Sequence, residues 1–219
     1  KLQGKDREAA AHFRKLAAEH PQSPLASEAQ YHVGESAFAA KDYTAAALAY
    51  YAVIEKQDGT PLGEKAVYKL AWCYYHQENF ADAQKTFAYQ RQRYRTGPLA
   101  GDAAFMEAEC LFKLARWAEA LKAYEALPAL ENREFRALAA LHAGQAAGQL
   151  KQWEVASRHL AAGAEKFGDS PWAPEILYEL GWAQQNLGRL ADAQATYQRA
   201  IAATDKVGRA GSEVAARAQ

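Results

Sequence analysis

Apolar residues along positions 64–87 recur every three to four residues, break at Gln77 to Asn79, and resume in the same rhythm. Val67, Leu70, Ala71 and Tyr74 fall at i, i+3, i+4 and i+7, which places them on one face of a helix. Phe80, Ala83 and Phe87 do the same on a second helix beyond the tight turn. Neither helix carries enough apolar surface to fold alone. Small Ala71 and Ala83 let the two backbones approach closely, with Phe80 and Phe87 filling the space beside them.

The pattern recurs along the chain. A small residue inside the first helix of each pair stands at Gly34, Ala71, Ala108, Gly144 and Gly181. The second helix opens on a bulky residue at Tyr43, Phe80, Trp117, Trp153 and Leu190, and an alanine follows at Ala46, Ala83, Ala120, Ala156 and Ala193. A large side chain comes four residues later, at Tyr50, Phe87, Tyr124, Leu160 and Tyr197. Each series steps by 37, 37, 36 and 37 residues, so the chain is a repeat protein. Five pairs are expected at about 24–58, 61–95, 98–127, 134–168 and 171–205, with half repeats at 1–20 and 210–219. Starting and ending in mid-repeat implies a piece of a longer solenoid, with open ends formed by Ala9, Phe13 and Leu16 and by Val214 and Ala218. Such ends invite head-to-tail self-association, which need not close.

The linkers share the register. Ser23-Pro24, Thr60-Pro61, Gly97-Pro98 and Ser170-Pro171 pair an N-cap residue with a proline suited to the first helical position. First helices are therefore expected to start near residues 24, 61, 98 and 171. The fourth repeat has Phe135 where the proline belongs, reached through an irregular loop from Pro128 to Glu134.

YKLAWCYYHQENFADAQKTF and YELGWAQQNLGRLADAQATY carry the clearest copies of the pattern, and they resemble the tetratricopeptide repeat, a helix–turn–helix of about 34 residues. The resemblance covers nearly the whole chain. It implies an all-α fold: a right-handed α-solenoid of stacked helix–turn–helix repeats, eleven or twelve helices and no strands. These repeats are longer, and the excess sits at Pro24-Leu25-Ala26 and its counterparts. That length, with AEHPQSPLASEA and KFGDSPWAPEI as linkers, resembles bacterial envelope repeat proteins of the outer-membrane assembly lipoprotein and Tol–Pal coordinator type. The periplasm or cell envelope is the compartment this points to, with the cytoplasm as the alternative.

Composition narrows the function. Half the residues are apolar, and Lys plus Arg equal Asp plus Glu at 26 each. A neutral chain lacks the basic excess of a nucleic-acid binder, and no run approaches the ~18 apolar residues of a membrane span. Cys73 and Cys110 sit at equivalent places in adjacent repeats, roughly 8–10 Å apart on stacked helices, which exceeds disulfide reach. The six histidines form no H-E-x-x-H, and no paired-cysteine motif, acidic calcium loop or phosphate loop is present, so no metal, cofactor or catalytic site is expected. The run Arg91, Arg93, Arg95 ends a second helix, where the macrodipole favours cations. Glu107 stands where other repeats have Val33, Leu70, Ala143 and Leu180, and Gln30 and Gln184 also fall on inward places; these three are expected at a rim, reaching water.

The resemblance implies that the first helices line the concave side, with residues one step off their core face pointing into that groove. They are Tyr31, Glu35 and Phe38; Tyr68, Trp72 and Tyr75; Phe105, Glu109 and Phe112; and Tyr178, Trp182 and Gln185. The fourth pair offers only Leu141, Gln145 and Gly148. Exposed aromatics in a concave surface indicate recognition. The candidate ligand-binding residues are thus Tyr31, Phe38, Tyr68, Trp72, Tyr75, Phe105, Glu109, Phe112, Tyr178 and Trp182. The expected function is a non-catalytic scaffold that binds a peptide or partner helix. Glu28, Glu35, Asp102, Glu109 and Glu175 outnumber Lys65 and Lys113, which makes the groove mildly acidic and disfavours acidic peptides. Some members of the family grip a C-terminal carboxylate with Lys, Asn and Arg on these helices; here aromatic and acidic residues occupy those places. The alternatives are a structural spacer, with a packed and featureless groove, and a regulatory segment of a larger enzyme.

Overall fold

The computed structural model describes residues 2–206, and all regular structure among them is helical. Eleven helices follow in chain order: α1 (Leu2–Glu19), α2 (Ala26–Ala39), α3 (Tyr43–Gln57), α4 (Pro61–His76), α5 (Phe80–Arg93), α6 (Ala100–Lys113), α7 (Trp117–Glu125), α8 (Arg133–Gln149), α9 (Trp153–Lys166), α10 (Ala173–Asn186) and α11 (Leu190–Lys206). They form two compact units, residues up to Cys110 and residues from Leu111 on, so the division falls inside α6. Val214 and Ala218 lie outside the described residues.

Each hairpin closes on the paired series legible in the repeat. A Cβ placed on Gly34 would come within 2.6 Å of the Tyr50 ring, one on Gly181 within 2.6 Å of the Tyr197 ring, and one on Gly144 within 2.6 Å of Leu160 Cδ2. Ala71, Ala83 and Phe87 are fully buried together in the second hairpin. The small residue therefore sets the distance of closest approach, and the large one fills it.

The turns inside the hairpins repeat as backbone conformations. Lys41, Glu78, Ala115, Lys151 and Gly188 all have φ between 56° and 74°, the left-handed region. In the first hairpin the chain reverses through Lys41 N–H donating to Phe38 O and Asp42 N–H to Ala37 O, after which the Asp42 carboxylate caps α3 by accepting from Ala45 N at 3.0 Å.

The proline linkers behave differently from one another. Thr60-Pro61 does start α4, with Thr60 Oγ1 accepting from Gly63 N at 3.1 Å. Pro24, Pro98 and Pro171 instead lie in turns, and α2, α6 and α10 begin two residues later than the prolines suggest. There the carbonyls of Ser23, Gly97 and Ser170 accept from Ala26, Ala100 and Ala173 N–H, so backbone turns do the capping. Asn132 starts α8 by accepting from Glu134 and Phe135 N–H, which replaces the missing proline.

The first end of the chain is less open than its half repeat implies. Phe13 stacks on His32 of α2 with ring centroids 4.7 Å apart, and Phe13 and Leu16 are half-buried; Ala9 is exposed. Phe13 is therefore satisfied within the chain.

One core position is chemically mismatched. Gln90 of α5 is fully buried, and neither its Oε1 nor its Nε2 meets a partner. Val53 and Leu127 hold the same place in neighbouring repeats. An unpaired buried amide costs about 1–3 kcal/mol. Gln90→Leu is expected to stabilise the first unit by that amount, read as a higher urea midpoint. An unchanged or lower midpoint would show that the amide is satisfied.

Candidate functional site

In the first unit α2 and α4 lie side by side, and aromatic side chains line both, linked through Phe38, His76 and Trp72. Tyr68, Trp72 and Tyr75, at i, i+4 and i+7 on α4, follow one another with ring centroids 6.2 and 5.4 Å apart in edge-to-face contact. Phe87 of α5 lies under Tyr68 and Trp72 at 5.8 and 6.2 Å, and Phe80 abuts Tyr75 at 5.3 Å. From α2, Tyr31 leans on Tyr50 at 5.5 Å and Phe38 on Tyr43 at 5.4 Å. Tyr31, Phe38, Tyr68, Trp72 and Tyr75 are all half-buried: each is held at one side and open at the other.

His76 joins the two helices. Its imidazole stacks on Tyr43 at 4.7 Å and touches Phe38 and Trp72, each at 5.5 Å. Burial, reinforced by the charge of Lys41, lowers its pKa, so it is neutral among the rings. Beside it, Lys69 of α4 reaches back to α2. Its ammonium pairs with Glu35 at 3.0 Å and lies 4.9 Å above the Phe38 ring. Glu35 also accepts from the Tyr50 hydroxyl. Burial and then Glu35 push Tyr31 up to about 12; burial raises Tyr68, and burial with Glu109 and Cys110 takes Tyr75 to about 12. These phenols stay neutral and act as amphipathic surface.

At the start of α4 the row opens into a cleft of about 640 Å³. Tyr31, Tyr68 and Tyr94 supply rings, Pro61, Pro98 and Leu99 apolar walls, and Lys65, Lys69, Arg93 and Arg95 the charge. Its single acidic lining residue, Glu64, is buried and accepts from Leu99 N at 3.2 Å, which clamps the α5–α6 turn. Asp58 ties the other wall: it accepts from Arg93 Nε, Tyr89 Oη and Tyr94 Oη, each at 3.0 Å. Burial works against its ionisation, but those hydrogen bonds prevail and hold its carboxyl below the usual range. Tyr94 Oη in turn accepts from Gly59 N at 2.9 Å.

A sequence model of the tetratricopeptide repeat matches residues 3–61 and 141–207, more than half the chain. The chain belongs to the tetratricopeptide repeat family. A second model, described as anaphase-promoting complex (cyclosome) subunit 3, matches residues 60–127 of this tetratricopeptide repeat chain. No curated protein matches it significantly in sequence. Among solved structures it is similar to apo RapI, with a TM-score of 0.75 and 16% identity over 91% of this chain and 60% of RapI. The chain thus spans three fifths of RapI's length. It is also similar to YrrB, a tetratricopeptide repeat protein with an unusual peptide-binding site, with a TM-score of 0.70 and 19% identity over 95% of this chain and 98% of YrrB. MamA from Desulfovibrio magneticus RS-1 aligns with a TM-score of 0.68 and 13% identity over 85% of this chain and 97% of MamA. At these identities the likeness is one of fold.

Within the tetratricopeptide repeat fold the candidate residues differ in their surroundings. Phe105 and Glu109 of α6 are buried, at 2% and 6% exposure, so neither presents a surface where the periodicity assigns the groove. In the second unit Phe112 is spent on packing, stacked on His142 at 4.5 Å and edge-on to Trp117 at 5.1 Å. Tyr178 leans on Tyr197 at 5.7 Å, while Trp182 is open at 44% exposure.

The charge reading also changes. Glu35 is neutralised by Lys69 and Glu109 is buried, so two of the carboxylates that made the groove acidic are withdrawn, and the cleft itself is basic. Glu107 is not at a rim reaching water. Its side chain is 13% exposed, pairs with Arg91 Nε at 2.8 Å and accepts from Gln84 at 3.3 Å. Arg91 and Arg93 are thus committed to carboxylates within the unit. Gln184 is half-buried with its Oε1 unpartnered.

His76 and Lys69 went unassigned in the sequence. His76 was legible as the residue four after Trp72; Tyr94, Arg95 and Leu99 carry no such signal, because they reach the cleft from about one repeat away. Both cysteines are free and buried, and burial first of all pushes each thiol up to about 12, which keeps them protonated and poor nucleophiles. Among the described residues no three His, Cys, Asp or Glu side chains cluster to hold a metal, and no helix is long and apolar enough to cross a membrane.

Proposed function

We propose that this chain is a non-catalytic protein-interaction scaffold whose first unit binds a peptide or partner helix along Tyr31, Phe38, Tyr68, Trp72 and Tyr75. The observation that carries the reading is the row of five half-buried rings on α2 and α4, continuous through Tyr31 and Tyr68 with the cleft. A rigid row suits recognition, because rings already held by Phe87, Phe80 and His76 lose little freedom on binding. Burying an apolar side chain contributes roughly 1.5–3 kcal/mol. Three engaged rings offset much of the ordering cost and give an affinity of about micromolar, near −8 kcal/mol. The peptide-binding site of YrrB, on a similar fold, supports the reading.

A screen of immobilised twelve-residue peptides against the wild type and Trp72→Ala/Tyr75→Ala tests it. Apolar-anchored peptides are expected to bind the wild type and to lose about tenfold or more on the double variant. Trp72→Leu, which keeps the volume near Phe87 filled, is expected to lose less if packing alone were at issue and as much if the indole is the contact. Hits that bind every folded variant equally would remove the groove.

The second reading is a spacer or regulatory segment of a longer protein. It is favoured by the Phe38–His76 and Phe112–His142 contacts, in which aromatic residues of one first helix are spent on the next. A bacterial envelope setting rests on the linker resemblance alone. Head-to-tail association through the ends belongs with these proposals, weakened at the first end by the Phe13–His32 stack.

A further inference from the structure

The cleft at the start of α4 differs from the aromatic row in charge. The chain has equal numbers of acidic and basic residues, yet four cations line this one cavity against a single carboxylate. That carboxylate, Glu64, is 5% exposed and occupied by the Leu99 amide, so it offers nothing to an incoming ligand. Lys69 and Arg93 are each answered by a carboxylate beside the cleft, Glu35 and Asp58. Lys65 and Arg95 are both exposed and line the cleft from different elements, Lys65 from the first turns of α4 and Arg95 from the turn after α5. Arg95 reaches only the carbonyl of Gln92, through Nε at 3.3 Å. Neither makes an ion pair among the described residues.

Between these cations the floor is aromatic. Tyr31 and Tyr68 line the same cavity, and burial keeps both phenols neutral, so they offer uncharged aromatic surface; the Tyr31 hydroxyl is already bonded to Glu35. The volume, about 640 Å³, is that of a site for a few side chains, within the roughly 300–1,000 Å³ of ligand pockets. The walls are fixed: Glu64 clamps the α5–α6 turn, and Asp58 holds Tyr94 and Arg93.

We propose that this cleft binds a short internal acidic segment of a partner protein, its side-chain carboxylates on Lys65 and Arg95 and one apolar side chain against Tyr31 and Tyr68. The assignment rests on the scaffold reading and adds the chemistry of the partner. It differs from capture of a chain terminus on the first helices, because one of its two free cations comes from an inter-repeat turn.

The test uses the full chain and two pools of fluorescent pentapeptides, acetylated and amidated at their ends. One pool flanks a central Leu, Phe or Trp with Asp and Glu; the other replaces these with Asn and Gln. By fluorescence anisotropy at low salt, the acidic pool is expected to bind about tenfold or more tightly than the amide pool, and added salt should erode the difference. Lys65→Glu/Arg95→Glu should abolish that preference while the circular dichroism spectrum and melting midpoint hold, since both residues are exposed. Lys65→Arg should retain it. Equal binding of the two pools, or an acidic preference that survives the double reversal, overturns the proposal. Heparin competing as well as unlabelled acidic peptide does so too, by reducing the cleft to general anion attraction. If the amide pool alone binds, and binding is lost in Trp72→Ala/Tyr75→Ala, the scaffold reading stands without this one; if neither pool binds, this proposal falls and the twelve-residue screen decides the scaffold reading.

Discussion

Phe87→Ala is expected to cost the first unit about 3–5 kcal/mol, the usual loss for removing a fully buried phenylalanine without collapse of the space it leaves. Phe87 has no exposed surface and lies against Tyr68 and Trp72 of α4, and Ala71 and Ala83 of the same hairpin are fully buried as well. Collapse is resisted because Ala71 and Ala83 have no side chain to extend and Tyr68 and Trp72 are held edge-on to each other. The loss should be local. Repeat proteins unfold by units coupled mainly to their neighbours, so a single global midpoint understates it. Hydrogen exchange separates the units: amides of α4 and α5 should lose about two to four orders of magnitude of protection, while α10 and α11 change little. Peptide binding along the row should fall with it, because Tyr68 and Trp72 lose their backing. A loss of protection under tenfold in α4 would mean that Phe87 is not the keystone of this hairpin.

Gly63→Ala is the second large effect, and its sign opposes helix propensity. Alanine is favoured over glycine inside a helix by about 1 kcal/mol. At Gly63, however, an added Cβ would stand 2.8 Å from the carbonyl carbon of Gln57, closer still to its oxygen, and 2.9 Å from Tyr94 Oη. The obstacle is backbone, and that backbone is pinned: Thr60 Oγ1 donates to Gln57 O at 2.7 Å and accepts from Gly63 N, and Gly59 N donates to Tyr94. No rotamer change relieves it, so the first turn of α4 must move. A net destabilisation of about 1–3 kcal/mol is expected, together with loss of binding in the cleft that this turn borders. Gly148→Ala is the control. Its nearest neighbour would be the Trp153 ring at 3.5 Å, an ordinary contact, so the substitution should be neutral or stabilising by up to ~1 kcal/mol. If both variants gain stability in urea titrations, the close approach at Gly63 is relieved by a movement cheaper than the geometry allows.

The repeat, its hairpins and their internal pairing were legible in the sequence because they are local. Gly34 meets Tyr50 and Gly181 meets Tyr197 across sixteen residues and one turn, so a fixed period carries the contact with it. The left-handed turn residues recur for the same reason, although only Gly188 announces the conformation by its type. The aromatic stripe was legible in part. A spacing of i, i+4 and i+7 places Tyr68, Trp72 and Tyr75 on one side of α4, but it does not say what stands over that side. The same rule assigned Phe105 and Glu109 to a groove, and both are buried. Periodicity fixes a direction relative to the helix's own axis; exposure depends on the neighbours, whose rotation and offset no single-helix pattern encodes. The proline turns show this on a smaller scale. Four linkers of like composition gave one true N-terminal proline and three backbone-capped turns, because the choice depends on which carbonyls and amides lie nearby.

Charge was the least legible property. Composition counts Glu35, Glu107, Asp58 and Glu64 only as negative charges, whereas tertiary contacts spend them on Lys69, Arg91, Arg93 and the Leu99 amide. These partners stand 16 to 35 residues apart and meet only when successive hairpins stack. The sequence by itself thus determined that the chain folds as tetratricopeptide hairpins and which residues close each of them. Only the tertiary structure decided which rings stay open and that the cleft beside them is basic, because burial and charge pairing are properties of the stacked repeats and not of any one of them.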